Sequence, residues 1–545
     1  MRVKILMVFG LAVLAANAKA DRFTNDVYIP GDTLEKAPDN WFHLDPKADE
    51  INGVSSIKAY QELLKGKKSN TVIVAVIDSG IDIDHEDLKN VIWVNEDEIA
   101  GNGIDDDKNG YVDDIHGWNF IGGADGNVEK DTYEITREYG RLLKKFKGLS
   151  EDDMKADKEY DYFKKLEQEY TKTVSDLESK YNNFKGFYEN YKLAKKLMEA
   201  YVGTEKLTPE DLESVNSSDE KVNAAKQMMK YIYDSGIDES EFDKGNDYFD
   251  AGLNYGYNLS YNPRDIIGDN YEDPDDRYYG NNNVKGEFNF HGTHVAGIIA
   301  AQRDNSLGIN GIADNVKIMA IRAVPNGDER DKDIANSIRY AVDNGAQIIN
   351  MSFGKSYSPY KDAVDEAVNY AEENNVLLIH AAGNNSKNID TKEHFPTRTY
   401  SSGKKAGNWL EIGALSWKNG KESVATFSNY GKNEVDVFAP GVDIYSTAPE
   451  QEYKNASGTS MAAPVTAGVA AMLLSYFPKL TSKQVRDIIV QSSLKYDKLK
   501  VLKPGSENEE VLFTELSRTG GMINAFEAVK LASKVVKNKK KLKAY

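Results

Sequence analysis

From Val316 onward the chain alternates between two hydrophobic periods, and this restricts the fold more than any other feature. Lys317-Ile318-Met319-Ala320-Ile321, Gln347-Ile348-Ile349-Asn350-Met351 and Val376-Leu377-Leu378-Ile379 are short apolar runs of the kind found in buried strands. Between them Ile334, Ile338, Ala341 and Val342, then Ala363, Val364, Ala367, Val368 and Ala371, fall at helical spacing. The alternation predicts an α/β fold, a doubly wound parallel sheet with helices on both faces. An earlier unbroken run, Thr71-Val72-Ile73-Val74-Ala75-Val76-Ile77, reads as another buried strand and ends at Asp78-Ser79-Gly80. Functional residues of such sheets collect at the carboxyl ends of strands, where Asp78 and Asn384 both lie.

Residues 126–262 break the rhythm. They are rich in Lys, Glu, Asp and Tyr and carry almost no strand pattern. Phe163, Leu166, Tyr170, Val174, Leu177, Tyr181, Phe184, Tyr188 and Tyr191 step by three or four, a heptad-like helical stripe. Gly186 predicts a break near its end. The segment is expected to be a charged helical insertion between a first part of the main domain, 21–125, and a second, 263–535. A basic tail, 536–545, follows. No internal repeat is present.

Three segments carry nucleophilic chemistry. Val76-Ile77-Asp78-Ser79-Gly80 puts an acid at a strand end. Phe290-His291-Gly292-Thr293-His294-Val295-Ala296-Gly297 puts a histidine at a helix start. Ser457-Gly458-Thr459-Ser460-Met461-Ala462-Ala463-Pro464 puts a serine after a glycine turn, opening a helix to about Phe477. A serine hydroxyl needs a base to become a nucleophile, imidazole titrates in the right range, and a buried carboxylate fixes the imidazole tautomer. The chain order is Asp, His, Ser.

These segments resemble the signatures of the subtilases, the subtilisin-like serine proteases. Asp82-Ile83-Asp84-His85-Glu86-Asp87-Leu88, Ile349-Asn350-Met351-Ser352-Phe353-Gly354 and Ala381-Ala382-Gly383-Asn384 resemble further family segments, in family order. The resemblance implies a subtilisin-like fold and a serine endopeptidase acting through an acyl-enzyme. It implies that Asp78 orients the imidazole, His291 is general base and then acid, and Ser460 is the nucleophile. Asn384, with the Ser460 backbone N–H, would hold the oxyanion, and the backbones of Ser352 and Gly354 would pair with a peptide substrate. Residues 385–396 would line the pocket for the residue before the scissile bond, with Asp390, Glu393, Lys387 and Lys392 leaving its charge preference open. His294 is expected to pack structurally, and His85 takes no chemistry. His43, His116, His380 and His394 are expected to be structural or surface groups. Asp78 and His291 stand 213 positions apart, against a few dozen in compact subtilases, and the insertion fills most of the gap. It is expected near one rim of the cleft, either as helices packed on the host domain with a solvated charged face or as a device restricting access to flexible or unfolded peptide.

Asp105-Asp106-Asp107-Lys108-Asn109-Gly110-Tyr111-Val112-Asp113 matches the start of an EF-hand loop. Asp105, Asp107, Asn109 and Asp113 supply side-chain oxygens and Tyr111 its carbonyl, for a structural Ca²⁺. His116 stands where a bidentate Glu is expected, leaving Asp114 or Glu98 to supply that carboxylate. The alternative is an acidic surface loop.

The remaining features bound location and partners. Arg2 and Lys4, the apolar Ile5 to Ala16 and the small-x-small Ala18-Lys19-Ala20 read as a signal peptide over residues 1–20, giving a secreted or periplasmic protein. The apolar run is too short to span a bilayer of roughly 30 Å, and there is no cysteine for a lipid anchor or disulfides. The stretch from Asp21 to the Asp78 strand is shorter than the prosegment of many secreted subtilases, so no full-size prosegment is expected. A net charge of −19 argues against a nucleic-acid partner. Protein or peptide substrates are the expected partners. A non-catalytic binding protein on the same scaffold, an acid-active sedolisin and a calcium-dependent adhesin are the rival readings.

Overall fold

The computed structural model describes residues 36–537 and 541–542, so the predicted signal peptide and part of the basic tail lie outside the described residues. The central sheet is built, in chain order, from β1 (Val72–Asp78), β2 (Gly117–Asn119), β3 (Val316–Arg322), β4 (Ile348–Met351), β5 (Leu377–Ala381), β6 (Trp409–Leu415), β7 (Val437–Pro440), β8 (Leu494–Lys495) and β9 (Gly521–Met522). Across the sheet the order is β8-β9-β7-β6-β5-β4-β1-β3-β2, and only the β8–β9 edge pair is antiparallel. Four strands match the apolar runs in the sequence. Two others, β6 and β7, were not anticipated: Glu411 and Gly413 interrupt the first, and the second is four residues ending in Pro440.

The helices are α1 (Glu134–Phe146), α2 (Tyr160–Val202), α3 (Glu220–Asp234), α4 (Glu239–Asp250), α5 (Phe290–Ala300), α6 (Asp331–Asp343), α7 (Lys361–Glu373), α8 (Thr459–Tyr476), α9 (Ser482–Ser492) and α10 (Ala525–Val536). Strand alternation divides the core. Val72, Val74 and Val76 of β1 pack in the cluster that holds Val295 and Ile298 of α5 and Val465 and Val469 of α8. Ala75 and Ile77 pack in a second cluster, with Ile334 and Ile338 of α6 and Val364 and Val368 of α7. Helices therefore cover both faces, and the doubly wound parallel sheet is borne out. Among the described residues α8 is the one helix apolar and long enough to cross a membrane, and it is packed inside the core.

The insertion is helical, as its stripe predicts. The host fold continues slightly further than residue 125, because Gly126–Asn127 pairs with Gly122–Gly123 and Lys130 bridges to Asn326. Leu177, Phe184, Tyr191 and Met198 of α2 bury against Val222, Met229 and Ile232 of α3 and Phe242 and Phe249 of α4, a core of its own. The break predicted at Gly186 does not occur: α2 runs unbroken to Val202. Gly186 lies on the solvent side, while Tyr188 and Tyr191 stack on the Phe242 ring at centroid distances of 4.6 and 4.8 Å. Packing there overrides the weak helix propensity of one glycine.

Candidate active site

β1 delivers Asp78 to its carboxyl end, buried, facing the first turn of α5. The Nδ1 of His291 lies 2.8 and 2.9 Å from the two Asp78 oxygens, while 37% of the His291 side chain remains exposed. Nδ1–H donates to the carboxylate, which leaves Nε2 free to accept a proton. Burial works against the charged imidazole, but the Asp78 charge and hydrogen bond outweigh it and raise the His291 pKa above its ordinary value. Close approach of α5 depends on Gly292, where a Cβ would sit 2.2 Å from the Gly80 carbonyl oxygen and 3.1 Å from Asp78 Cβ.

Ser460 stands in the first turn of α8. Its hydroxyl donates to the Ser352 carbonyl at 3.1 Å, and among the described residues no hydrogen bond joins it to His291. Such catalytic contacts are often long until substrate binds. The Asn384 Oδ1 accepts from the Thr459 backbone N–H at 2.8 Å and the Thr459 hydroxyl at 2.9 Å. With its oxygen so engaged, the side-chain amide turns Nδ2 toward Gly458 and the start of α8. The Ser460 backbone N–H belongs to the helix turn whose amides lack intrahelical partners. Asn384 Nδ2 and that N–H are two donors at a helix N-terminus, an arrangement suited to negative charge.

The arrangement can be compared with known proteins. The subtilase family profile matches residues 69–511. The chain belongs to the subtilase family. It is 43% identical over 190 residues to the thermophilic serine proteinase of Bacillus sp. (strain AK1), covering 35% of this chain and 43% of that protein. It is 41% identical over 188 residues to thermitase of Thermoactinomyces vulgaris, covering 34% and 62%. Against subtilisin DY of Bacillus licheniformis it is 38% identical over 203 residues, covering 36% and 68%.

In this subtilase the segment Ser352 to Gly354 runs on from β4 past the edge of the core. His380 of β5 holds it: Nε2–H donates to the Phe353 carbonyl at 2.8 Å, and Nδ1 lies 2.9 and 3.0 Å from the two carboxyl oxygens of Glu411. Glu411 also accepts from the Trp409 indole at 2.9 Å. The His394 ring is wedged between Gly354 and Gly383, where Cβ atoms would lie 2.4 and 3.1 Å from its Cε1. Burial, then the neighbouring His380, pushes the His394 pKa down to about 4, so the imidazole there is neutral at pH 7. From the sequence both histidines are expected only as structural or surface groups; the hold of His380 on the Ser352–Gly354 segment is legible there only as a histidine four positions before Asn384. Asp390 is committed to the backbone N–H groups of Asn433 and Glu434.

The other histidines are structural. His294 donates to the Lys454 carbonyl at 2.9 Å, and burial lowers its pKa to about 4. His85 contacts the Glu452 carbonyl, His43 contacts Ser56 and the Asn310 carbonyl, and His116 contacts the Trp93 carbonyl. A cleft of about 880 Å³ joins Asp78, His291, Ser352 and Phe353 to Val324, Pro325 and Asn326. None of the residues lining it comes from 126–262.

The acidic loop folds differently from a simple EF-hand. Glu98, Asp105 and Asp107 each offer a carboxylate oxygen within 4.8 Å of the others. Asp113, expected as a ligand, instead accepts the backbone N–H groups of Gly101, Asn102 and Gly103 at 2.7, 3.2 and 2.9 Å. In this structure the Asp113 carboxylate caps that turn, and Glu98, one of the two carboxylates considered for position twelve, lies in the cluster. Asn109 Oδ1 accepts the Tyr111 backbone N–H at 2.8 Å. The clustered donors are all oxygens, which fit a hard cation such as Ca²⁺.

Proposed function

We propose that this subtilase is an exported serine endopeptidase that hydrolyses peptide bonds through Asp78, His291 and Ser460. The reading rests chiefly on the Asp78–His291 pair, which shares its cleft with the Ser352 to which Ser460 is hydrogen-bonded, with Asn384 turned by Thr459 to donate. Ser460 Oγ attacks the scissile carbonyl carbon as its proton passes to His291 Nε2. The C=O π electrons move to the oxygen, which accepts hydrogen bonds from Asn384 Nδ2 and the Ser460 N–H. Losing one such donor typically costs about 10²–10³ in turnover. Collapse expels the amine, which takes the proton from Nε2, and leaves an acyl group on Oγ. Water, deprotonated by the same imidazole, then releases the acid and returns the proton to Ser460. The extended substrate pairs with the backbones of Ser352 and Gly354, so cleavage reads main chain before side chains.

A structural Ca²⁺ at the acidic loop belongs to the same reading. Glu98, Asp105 and Asp107 would hold it, and the cation would offset the repulsion among their charges. Export is read from residues 1–20.

The test is labelling with a fluorophosphonate probe, with Ca²⁺ present, followed by peptide mass mapping. Label on Ser460, absent from Ser460→Ala, is expected. A folded protein that takes no label at Ser460 refutes the proposal.

A further inference from the structure

The insertion roots itself directly beneath the substrate-pairing edge. Lys355 follows Gly354 in the chain, and its side chain is 1% exposed. Its Nζ lies 2.6 Å from Glu134, the first residue of α1 in the insertion, 2.8 Å from Asp331 and 2.8 Å from the Glu329 carbonyl. Its backbone exchanges two hydrogen bonds of 2.9 Å with Phe395. Burial alone would raise the Glu134 carboxyl, but Arg137 and Lys355 hold it down at about 2.

The same root braces the opposite rim. The Asp131 N–H donates to the Asn326 carbonyl and the Asn326 N–H to the Glu129 carbonyl, at 3.2 and 2.9 Å. Asp328 accepts the Glu134 N–H at 2.8 Å, and Arg137 donates to the Asp328 and Glu329 carbonyls. Asn326 and Ser352 both line the active-site cleft, beyond the ends of β3 and β4, the strands that flank β1. Residues 129–137 therefore join the two strips of backbone between which an extended peptide would lie.

We propose that Glu134 is a positioning residue: through Lys355 the insertion fixes the Ser352–Gly354 edge at the separation from the Val324–Asn326 rim that an extended peptide needs. The insertion is thus a brace that favours substrates with several residues ahead of the scissile bond, rather than a lid. The proposal rests on the endopeptidase reading above. Replacing both partners of a buried ion pair with apolar groups is tolerated better than removing one, and here Asp331 and Arg137, the further partners of Lys355 and Glu134, keep their other contacts. The variants are therefore Glu134→Gln and the paired replacement Glu134→Leu with Lys355→Met, in the full chain.

Each is assayed on a chromogenic tetrapeptide anilide and on a single-residue ester, with fluorophosphonate labelling of Ser460 as the control for the triad. The expected result is a rise in KM for the tetrapeptide of about tenfold, a modest misplacement effect, with ester kinetics and labelling rate changed by less than about twofold. Equal losses on both substrates, or wild-type kinetics on both, overturn the proposal. If wild-type protein takes no label, the endopeptidase reading fails instead. Should neither variant fold, hydrogen exchange on wild-type protein decides. A tetrapeptide chloromethyl ketone is expected to protect the amides of residues 131–137 more than a single-residue analogue does; equal protection overturns the brace.

Discussion

Ser460 and Ser352 exchange two hydrogen bonds: the Ser460 hydroxyl donates to the Ser352 carbonyl at 3.1 Å, and the Ser352 hydroxyl donates to the Ser460 carbonyl at 3.0 Å. The pair ties the start of α8 to the end of β4, the two places that carry the proposed nucleophile and the proposed substrate edge. The Ser352 hydroxyl in turn accepts from Asn350 Nδ2 at 2.9 Å.

Ser352→Ala keeps the carbonyl and removes the hydroxyl. One net hydrogen bond is worth ~1 kcal/mol, so kcat/KM on a peptide substrate is expected to fall about fivefold to tenfold. An unchanged kcat/KM would mean that α8 is placed without this tie.

The His291 imidazole accepts a proton only when neutral, and Asp78 raises its pKa. The neutral fraction therefore falls as pH drops through a value above 6.5, and the acidic limb of kcat/KM is expected to lie on the alkaline side of that figure. Asp78→Asn takes away both the charge and the acceptor that selects the tautomer. It should move the limb to lower pH and cost about 10⁴ in kcat, as in the chymotrypsin-type triad. A limb that stays in place in the variant would remove Asp78 from its assigned role.

The parts legible in the sequence are those whose signal is local. Val74 to Ile77 is buried on both faces, so the apolar run that holds it is unbroken and points straight at Asp78. The α2 stripe is equally plain: Phe163 and Leu166 pack with α1, and from Leu177 on the stripe meets the insertion's own core. Other features depend on neighbours far along the chain. Glu411 makes β6 look broken until His380 is found beside it on the adjacent strand. Nothing near Gly186 announces the Phe242 contacts that carry α2 onward. The acidic loop's spacing names its oxygens but not their direction: the Asp113 carboxylate, read as a ligand, accepts the N–H groups of the 101–103 turn. Lys355 looks like any surface lysine until Glu134, over two hundred residues earlier, is set against it.

His380 and Glu411 form a buried pair beneath Phe353. His380→Leu leaves the Glu411 carboxylate with the Trp409 indole as its remaining side-chain donor, and should lower unfolding free energy by about 3–5 kcal/mol. Adding Glu411→Gln should recover part of that loss, with a coupling of about 0.5–3 kcal/mol in the cycle. Urea unfolding measures both. A single variant costing under about 1 kcal/mol would show that water or a neighbouring group takes over the pairing.

Three carboxylates within 4.8 Å repel one another, and in the structure each is held by N–H donors: Glu98 by Asp106 and Asp107, Asp105 by Asn109 and Gly110, and Asp107 by Asn95 and Asn109. A bound cation would offset the repulsion in the folded state only, and ligand linkage then stabilises the fold by ~2.7 kcal/mol at a hundredfold excess over Kd. EGTA should accordingly lower Tm, and added Ca²⁺ should restore it. In Asp105→Asn, which keeps the shape but removes a charge, the EGTA-induced drop should shrink, whereas Asp113→Asn should lower Tm equally with and without Ca²⁺, because Asp113 caps the 101–103 turn rather than joining the cluster. A Tm indifferent to EGTA in the wild-type chain would leave the loop as an acidic turn held by its own hydrogen bonds.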